Sequence, residues 1–246
     1  MYKRQIKTKD RSKLIQAAMG KIPCDLTIGN VQFLNVITGE IYPASVDILD
    51  GFVVLVREEG QEPVLPAKKY YDGCGRYLIP GFIDTHVHVE STMMIPENLS
   101  RAILPWGTTT ICTDPHEIGN VMGVEGVEFM LDNAKKSKLR QYVLAPSCVP
   151  SVPGLENAGA EFSAAEIGRL LDMDNGVGIA EIMDYVGVIN DTERMHSIIE
   201  EGVKRGMFLQ GHAPYCTGKE LAAYLIGGPV SDHESVSEDE VRAKLR

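Results

Sequence analysis

The chain has 246 residues, 44% hydrophobic and 24% charged, with a formal net charge of −10. This is the make-up of a globular protein large enough for one or two domains. It carries neither the concentrated basic patch of a nucleic-acid binder nor the run of about 18 apolar residues that spans a membrane.

Residues 1–20 read as a short lead-in. Lys and Arg without an apolar segment are not a secretory signal, the first few residues are expected to be poorly ordered, and Lys13–Met19 suits two turns of helix ending at Gly20. Residues 24–76 read as β-structure. Short alternating runs such as Asp25–Val36, Ser45–Leu49 and Phe52–Val56 are separated by the turn signals Gly39-Glu40 and Asp50-Gly51. Residues 1–76 are therefore expected to be the lead-in and part of a small β-sandwich or open barrel.

From residue 77 short apolar strands alternate with helical segments. Strands are expected over Leu78–Thr85, Thr108–Thr113, Gln141–Pro146, Gly176–Ile182, Met207–Gly211 and Pro229–Ser231. Helices are expected over Pro96–Leu104, Gly123–Lys136, Ala164–Leu171, Thr192–Arg205 and Gly218–Leu225, with Asp191 as a cap for the fourth and a last helix beginning near Ser237. Such alternation implies an α/β fold with a parallel sheet. The polar residues at the strand ends, His86, Asp114, Cys148, Glu181, His212 and His233, recur about every 30 residues, the repeat of a (β/α)₈ TIM-type barrel. No Gly-rich nucleotide fingerprint favours a doubly wound sheet. Six of eight units are counted, so residues 77–246 read as an incomplete barrel of a longer protein.

The stretch Gly81-Phe-Ile-Asp-Thr-His-Val-His-Val-Glu90 organises the rest. Alternation on a strand points His86 and His88 to one side, where two imidazoles can grip one metal ion. Glu181, in Gly178-Ile-Ala-Glu, and His212 and His233, in Gln210-Gly-His-Ala-Pro and Ser231-Asp-His-Glu, fall on the same expected barrel mouth. A carboxylate between two histidine pairs suits the bridging ligand of a two-metal site. The five cysteines, Cys24, Cys74, Cys112, Cys148 and Cys216, are odd in number and form no Cys-x-x-Cys pair. They argue against disulfides and a thiolate zinc site and suit a reducing cytoplasm.

These stretches, together with Pro80–Met93, Gly107–Thr110, Thr113-Asp-Pro-His-Glu-Ile118 and Ala145-Pro-Ser-Cys-Val-Pro150, resemble the amidohydrolase superfamily of metal-dependent hydrolases, and within it the adenine deaminases. The resemblance runs from about Leu14 to the end. It implies a (β/α)₈ barrel beside a β-sandwich built from both chain termini. It also implies two divalent metals, manganese foremost with iron or zinc also suited to the ligands. His86 and His88 would bind one, His212 and His233 the other, and Glu181 would bridge them as a catalytic ligand. The implied reaction is hydrolysis of adenine to hypoxanthine and ammonia in purine salvage. An aspartate that the family carries after its eighth strand would lie beyond Arg246. A cyclic-amide hydrolase and a metal-binding fragment without turnover are the alternatives. His88-Val-Glu90 matches half of the small zinc nucleobase deaminase signature, but no Pro-Cys-x-x-Cys follows. A small-molecule substrate and a homo-oligomer are expected, with no nucleic-acid or membrane partner.

Further residues are expected to contact substrate or support ligands. Glu90 and Ser91 could contact the base or orient His88. Asp114, His116 and Glu117 lie after the second strand, where His116 could touch substrate, hold an extra metal or cap a helix. Asp184 and Asp232 are expected to support ligands or face solvent, His196 to lie on the surface, and Cys148 to be a buried thiol.

Overall fold

The structure, a computed structural model, describes residues 8–58, 60 and 64–246, and the chain divides into two units, Met1–Pro80 and Gly81–Arg246. The expectation for the first few residues of the lead-in lies outside the described residues.

The first unit opens with helix α1, Thr8–Ala18, which takes in most of the expected Lys13–Met19 and begins before it. One mixed five-stranded sheet follows, built from β1 (Leu26–Asn35), β2 (Glu40–Leu49), β3 (Phe52–Glu58), β4 (Tyr70–Asp72) and β5 (Tyr77–Leu78). Strands β1, β2 and β3 form an antiparallel meander, and β4 and β5 add to β1 in parallel. The two expected turn signals separate the strands of the meander. Leu14 and Ala17 of α1 are buried with Cys24, Leu49 and Leu65 in a small core. Beneath it Asp47, fully buried, accepts from Arg57 Nε at 2.7 Å and from Thr27 Oγ1 at 2.6 Å. Among the described residues this is a single sheet with a helix, rather than two stacked sheets.

The second unit alternates strand and helix. Its elements are β6 (Phe82–Val87), α2 (Pro96–Ile103), β7 (Thr108–Thr113), α3 (His116–Ala134), β8 (Arg140–Pro146), α4 (Ala164–Leu171), β9 (Gly176–Ile182), α5 (Tyr185–Ile189), α6 (Glu193–Val203), β10 (Phe208–Gly211), α7 (Gly218–Ile226), β11 (Ser231–Asp232) and α8 (Glu238–Leu245). All neighbouring strands are parallel, in the sheet order β6 to β11. Because each strand adds beside its predecessor, the order never reverses. A doubly wound sheet must reverse; a barrel does not. Apolar residues of the strands (Val143, Ile179, Leu209) pack against Leu131, Ile167, Ile198 and Tyr224 of the helices in one core.

Three expectations are corrected. The strand expected over Leu78–Thr85 is broken at residues 79–81: Tyr77–Leu78 pairs with β1, and β6 begins at Phe82. For all its apolar residues, this strand lies open. Phe82 and Ile83 are exposed, because β6 is paired only with β7 among the described residues. The helix expected from Gly123 begins at His116 and kinks at Gly123, where φ is 66°. Only glycine adopts that angle without a Cβ penalty, so the residue that reads as a helix start is a bend inside one. The cap of α6 is Thr192, not Asp191; Asp191 stands one residue earlier and its carboxylate accepts from His196 Nδ1 at 2.9 Å.

Candidate metal centre

The C-terminal ends of the six parallel strands bring together residues far apart in the chain. His86 lies in β6 and His88 just beyond it. Asp114 follows β7, Ser147 and Cys148 follow β8, Glu181 lies near the end of β9, and His212 and His233 follow β10 and β11. Five of the six histidines of the chain surround one carboxylate. Glu181 Oε1 is 2.9 Å from His233 Nε2, 3.1 Å from His86 Nε2, 3.2 Å from His212 Nδ1 and 3.6 Å from His88 Nε2. Its other oxygen, Oε2, is 3.2 Å from His116 Nδ1. Glu181 is buried, and its φ of 26° is one that non-glycine residues rarely adopt. Ser147 Oγ reaches its carbonyl oxygen at 2.9 Å and that of Ala180 at 2.8 Å, bracing this turn of backbone.

The outer nitrogens of the histidines fix their tautomers. His86 Nδ1 lies 3.0 Å from Gln210 Oε1, while the Gln210 amide nitrogen points to Thr85 O at 3.5 Å. His88 Nδ1 lies 3.0 Å from the backbone oxygen of Asp114. Both partners accept only, so both Nδ1 atoms carry a proton and both Nε2 atoms turn to the centre. The two Nε2 atoms face each other 3.0 Å apart. At that distance either one of them holds a proton or a cation lies against both, and the residues present fit a divalent metal. On the other side His233 stacks on His86 with ring centroids 3.9 Å apart. The backbone of His212 is pinned by Tyr224, whose hydroxyl accepts from His212 N and donates to Ile182 O. Gly211 permits this close seating: a Cβ there would stand 2.3 Å from Ser231 O.

The electrostatics agree. Burial raises the Glu181 carboxyl, but the imidazoles of His116, His212, His233 and His86 beside it outweigh this and hold the group well below the usual carboxylate range. The bond to Glu181 lifts His88 to about 9 against the opposing effect of burial. Burial works against the His116 imidazolium, yet Asp114, Cys148 and Glu181 together raise it. Burial raises Asp114. Burial and the Asp114 charge push the Cys148 thiol up to about 12, so it is a buried, inert thiol.

The remaining candidates sort by contact. His116 joins the centre, with Nδ1 3.1 Å from Asp114 Oδ2. The Asp114 carbonyl, and neither Glu90 nor Ser91, orients His88. Ser91 Oγ donates to Glu117, and Glu90 Oε1 accepts from Ile118 N at 3.2 Å on the first turn of α3. Glu90 Oε2 is buried without a hydrogen bond, and burial raises the group. Asp232 accepts from Ala213 N and Glu234 N, both at 2.8 Å, between the two histidine loops. Asp184 caps α5 through Gly187 N, and His196 is exposed. Sequence reasoning missed Gln210, Ser147 and Tyr224. Gln210 stood within reach of the strand argument, since it lies two residues before His212.

Residues 77–246 match the model of the Amidohydrolase family. The chain is 42% identical over 236 residues to a protein named adenine deaminase from Klebsiella pneumoniae (strain 342). It is 41% identical over 241 residues to another of that name from Serratia proteamaculans (strain 568). These alignments take in 96% and 98% of this chain but 39% and 40% of the relatives, so the chain spans about two fifths of the length of the curated proteins it matches. Among solved structures, N-acyl-D-glutamate deacylase from Bordetella bronchiseptica, complexed with zinc and a phosphonate inhibitor, superposes with a TM-score of 0.57 at 16% identity. That superposition covers 91% of this chain and 55% of that one, a likeness of fold.

Proposed function

The chain belongs to the amidohydrolase family, and from that membership we propose that it provides the metal-holding part of an enzyme that hydrolyses adenine to hypoxanthine and ammonia. The observation that carries this reading is the single carboxylate oxygen of Glu181 set within 3.6 Å of four imidazoles from the ends of three strands, β6, β10 and β11. The names of the relatives, at 42% and 41% identity, support the choice of substrate. In this reading the six strands are the first six units of a (β/α)₈ barrel, and the first unit is part of a β-sandwich. The enzyme works in the cytoplasm as a homo-oligomer.

His86 and His88 would hold one divalent ion and His212 and His233 the other, with Glu181 between them. Mixed imidazole and carboxylate donors suit manganese, with iron or zinc as alternatives. A metal held there supplies Lewis acidity and lowers the pKa of water toward neutrality. The chain's own residues set the geometry. Gln210 and the Asp114 carbonyl hold the His86 and His88 tautomers, and Tyr224 and Ser147 brace His212 and Glu181. In the reaction, water adds its oxygen to C6 of adenine and the C6–amino bond breaks, so the leaving nitrogen must gain a proton. Glu181, which faces imidazoles at both oxygens, is a poor carrier for it. Glu90, Ser91 and Glu117 lie along the rim as contacts for the base.

The test is ammonia release from adenine by the manganese-loaded Klebsiella pneumoniae relative carrying this chain in place of its matching segment, with the unaltered relative as reference. Turnover that disappears in Glu181→Gln is the expected result. Opening of hydantoin or dihydropyrimidine rings in place of adenine turnover would move the reading to a cyclic-amide hydrolase. Manganese binding with no turnover of either would overturn the deaminase reading for this chain.

A further inference from the structure

The two oxygens of Glu181 face different company. Oε1 looks into the ring of His86, His88, His212 and His233. Oε2 is buried, makes no hydrogen bond and faces His116 Nδ1 at 3.2 Å. The same nitrogen lies 3.1 Å from Asp114 Oδ2, and Asp114 is fully buried with its Oδ1 also unpartnered. One imidazole nitrogen therefore faces two buried carboxylates. A single N–H there, even on an imidazolium, must be shared between two carboxylates, and a lone pair there would face two anions. Buried charge without a counter-charge is strongly disfavoured.

The geometry points to an additional divalent-cation subsite beside the four-histidine ring, formed by the Asp114 carboxylate, His116 Nδ1 and Glu181 Oε2. Ligands at about 2.1–2.2 Å from an ion and a right angle apart stand about 3 Å from one another. The edges of this triangle on His116 Nδ1, 3.1 and 3.2 Å, match those of the ring around Oε1. Ligand atoms of His88, Asp114, His116 and Glu181 all lie within 4.8 Å of one another. Two carboxylates and one imidazole suit Mn²⁺ among the divalent ions. The three donors come from the end of β7, the first residue of α3 and β9, so the subsite ties the start of that helix to the sheet. The inference rests on Glu181 being a metal ligand.

Crystals of the unsubstituted chain soaked in Mn²⁺ test it directly through anomalous scattering. A peak bounded by Asp114, His116 and Glu181 Oε2 is expected, apart from those at the four-histidine ring. In solution, equilibrium dialysis against Mn²⁺ with elemental analysis should show one fewer ion per chain for His116→Gln and for Asp114→Asn, the ring ions being retained. His233→Gln should lose ring metal and keep the subsite. Peaks confined to the ring, with unchanged stoichiometry in both substitutions, would overturn the subsite and leave His116 as an imidazolium clamp on two carboxylates. A chain that takes up no Mn²⁺ at all would instead bring down the metal-centre reading itself.

Discussion

Gln210 is the residue whose role is most sharply testable. Its carbonyl oxygen accepts from His86 Nδ1 and thereby fixes which nitrogen faces the centre. Outer partners of this kind are generally worth about 10–100-fold in metal affinity. Gln210→Leu should weaken manganese binding by about that factor in chelator competition, with the fold intact by circular dichroism. Protons provide a second check. Without metal, the bond to Glu181 keeps His88 protonated up to about 9. Metal must displace that proton, so uptake at pH 8 should release protons into weakly buffered solution, and affinity should rise as pH climbs toward 9. The metal-free fold has the opposite dependence. A raised folded pKa contributes stability fully below the ordinary histidine value of 6.5, and this is lost as pH rises through about 9. At this scale the histidines were legible because strand alternation and strand-end position both selected them. Ser147 and Tyr224 were not, because they act through backbone atoms that no sequence pattern marks.

Among the helices, α4 is the one that local chemistry defines best. Ser163 Oγ accepts from Ala165 N, and Glu166 reaches back to Ser163 N at 2.8 Å, forming a capping box. Ser163→Ala should cost about 1 kcal/mol, visible as a lower denaturation midpoint. The bond from Ser163 lowers the Glu166 pKa. That stabilisation is present above the unfolded value of 4.5 and is lost as pH falls through the lower folded value, so the substituted chain should show a shallower loss in acid. The expected helix over Ala164–Leu171 matches α4 because cap and apolar face agree. The start of α3 was not legible. Its first turns contain Gly119 and Gly123, poor helix formers, and Glu90 from another segment serves its first turn through Ile118 N. Helix α5 escaped notice because its five residues are too few to show a period.

For the molecule as a whole, the repeat of polar residues at strand ends was enough to choose a barrel-type sheet, and the unreversed order of six strands bears that choice out. What sequence could not give was exposure. Phe82 and Ile83 are as apolar as any buried strand, and only the pairing of β6 on one side explains why they lie open. The first unit holds a different lesson in Asp47 and Arg57, which are 0% and 7% exposed. Removing one partner of a buried pair leaves the other charge stranded, typically at about 3–5 kcal/mol. Arg57→Leu should show a loss of that size in urea denaturation, with manganese stoichiometry unchanged, since among the described residues every candidate metal group lies in the second unit.

The positive φ of Glu181 has an evolutionary consequence. A backbone that only glycine occupies comfortably carries the carboxylate around which five histidines gather. Replacing Glu181 by glycine should leave the metal-free chain more stable than replacing it by alanine, by about 1 kcal/mol, because the two variants differ mainly in tolerance of that angle. Equal stabilities would show that the angle carries no strain. At this position selection for a sturdier fold and selection for chemistry pull in opposite directions, so drift that relaxes the second should be recorded first as glycine at residue 181.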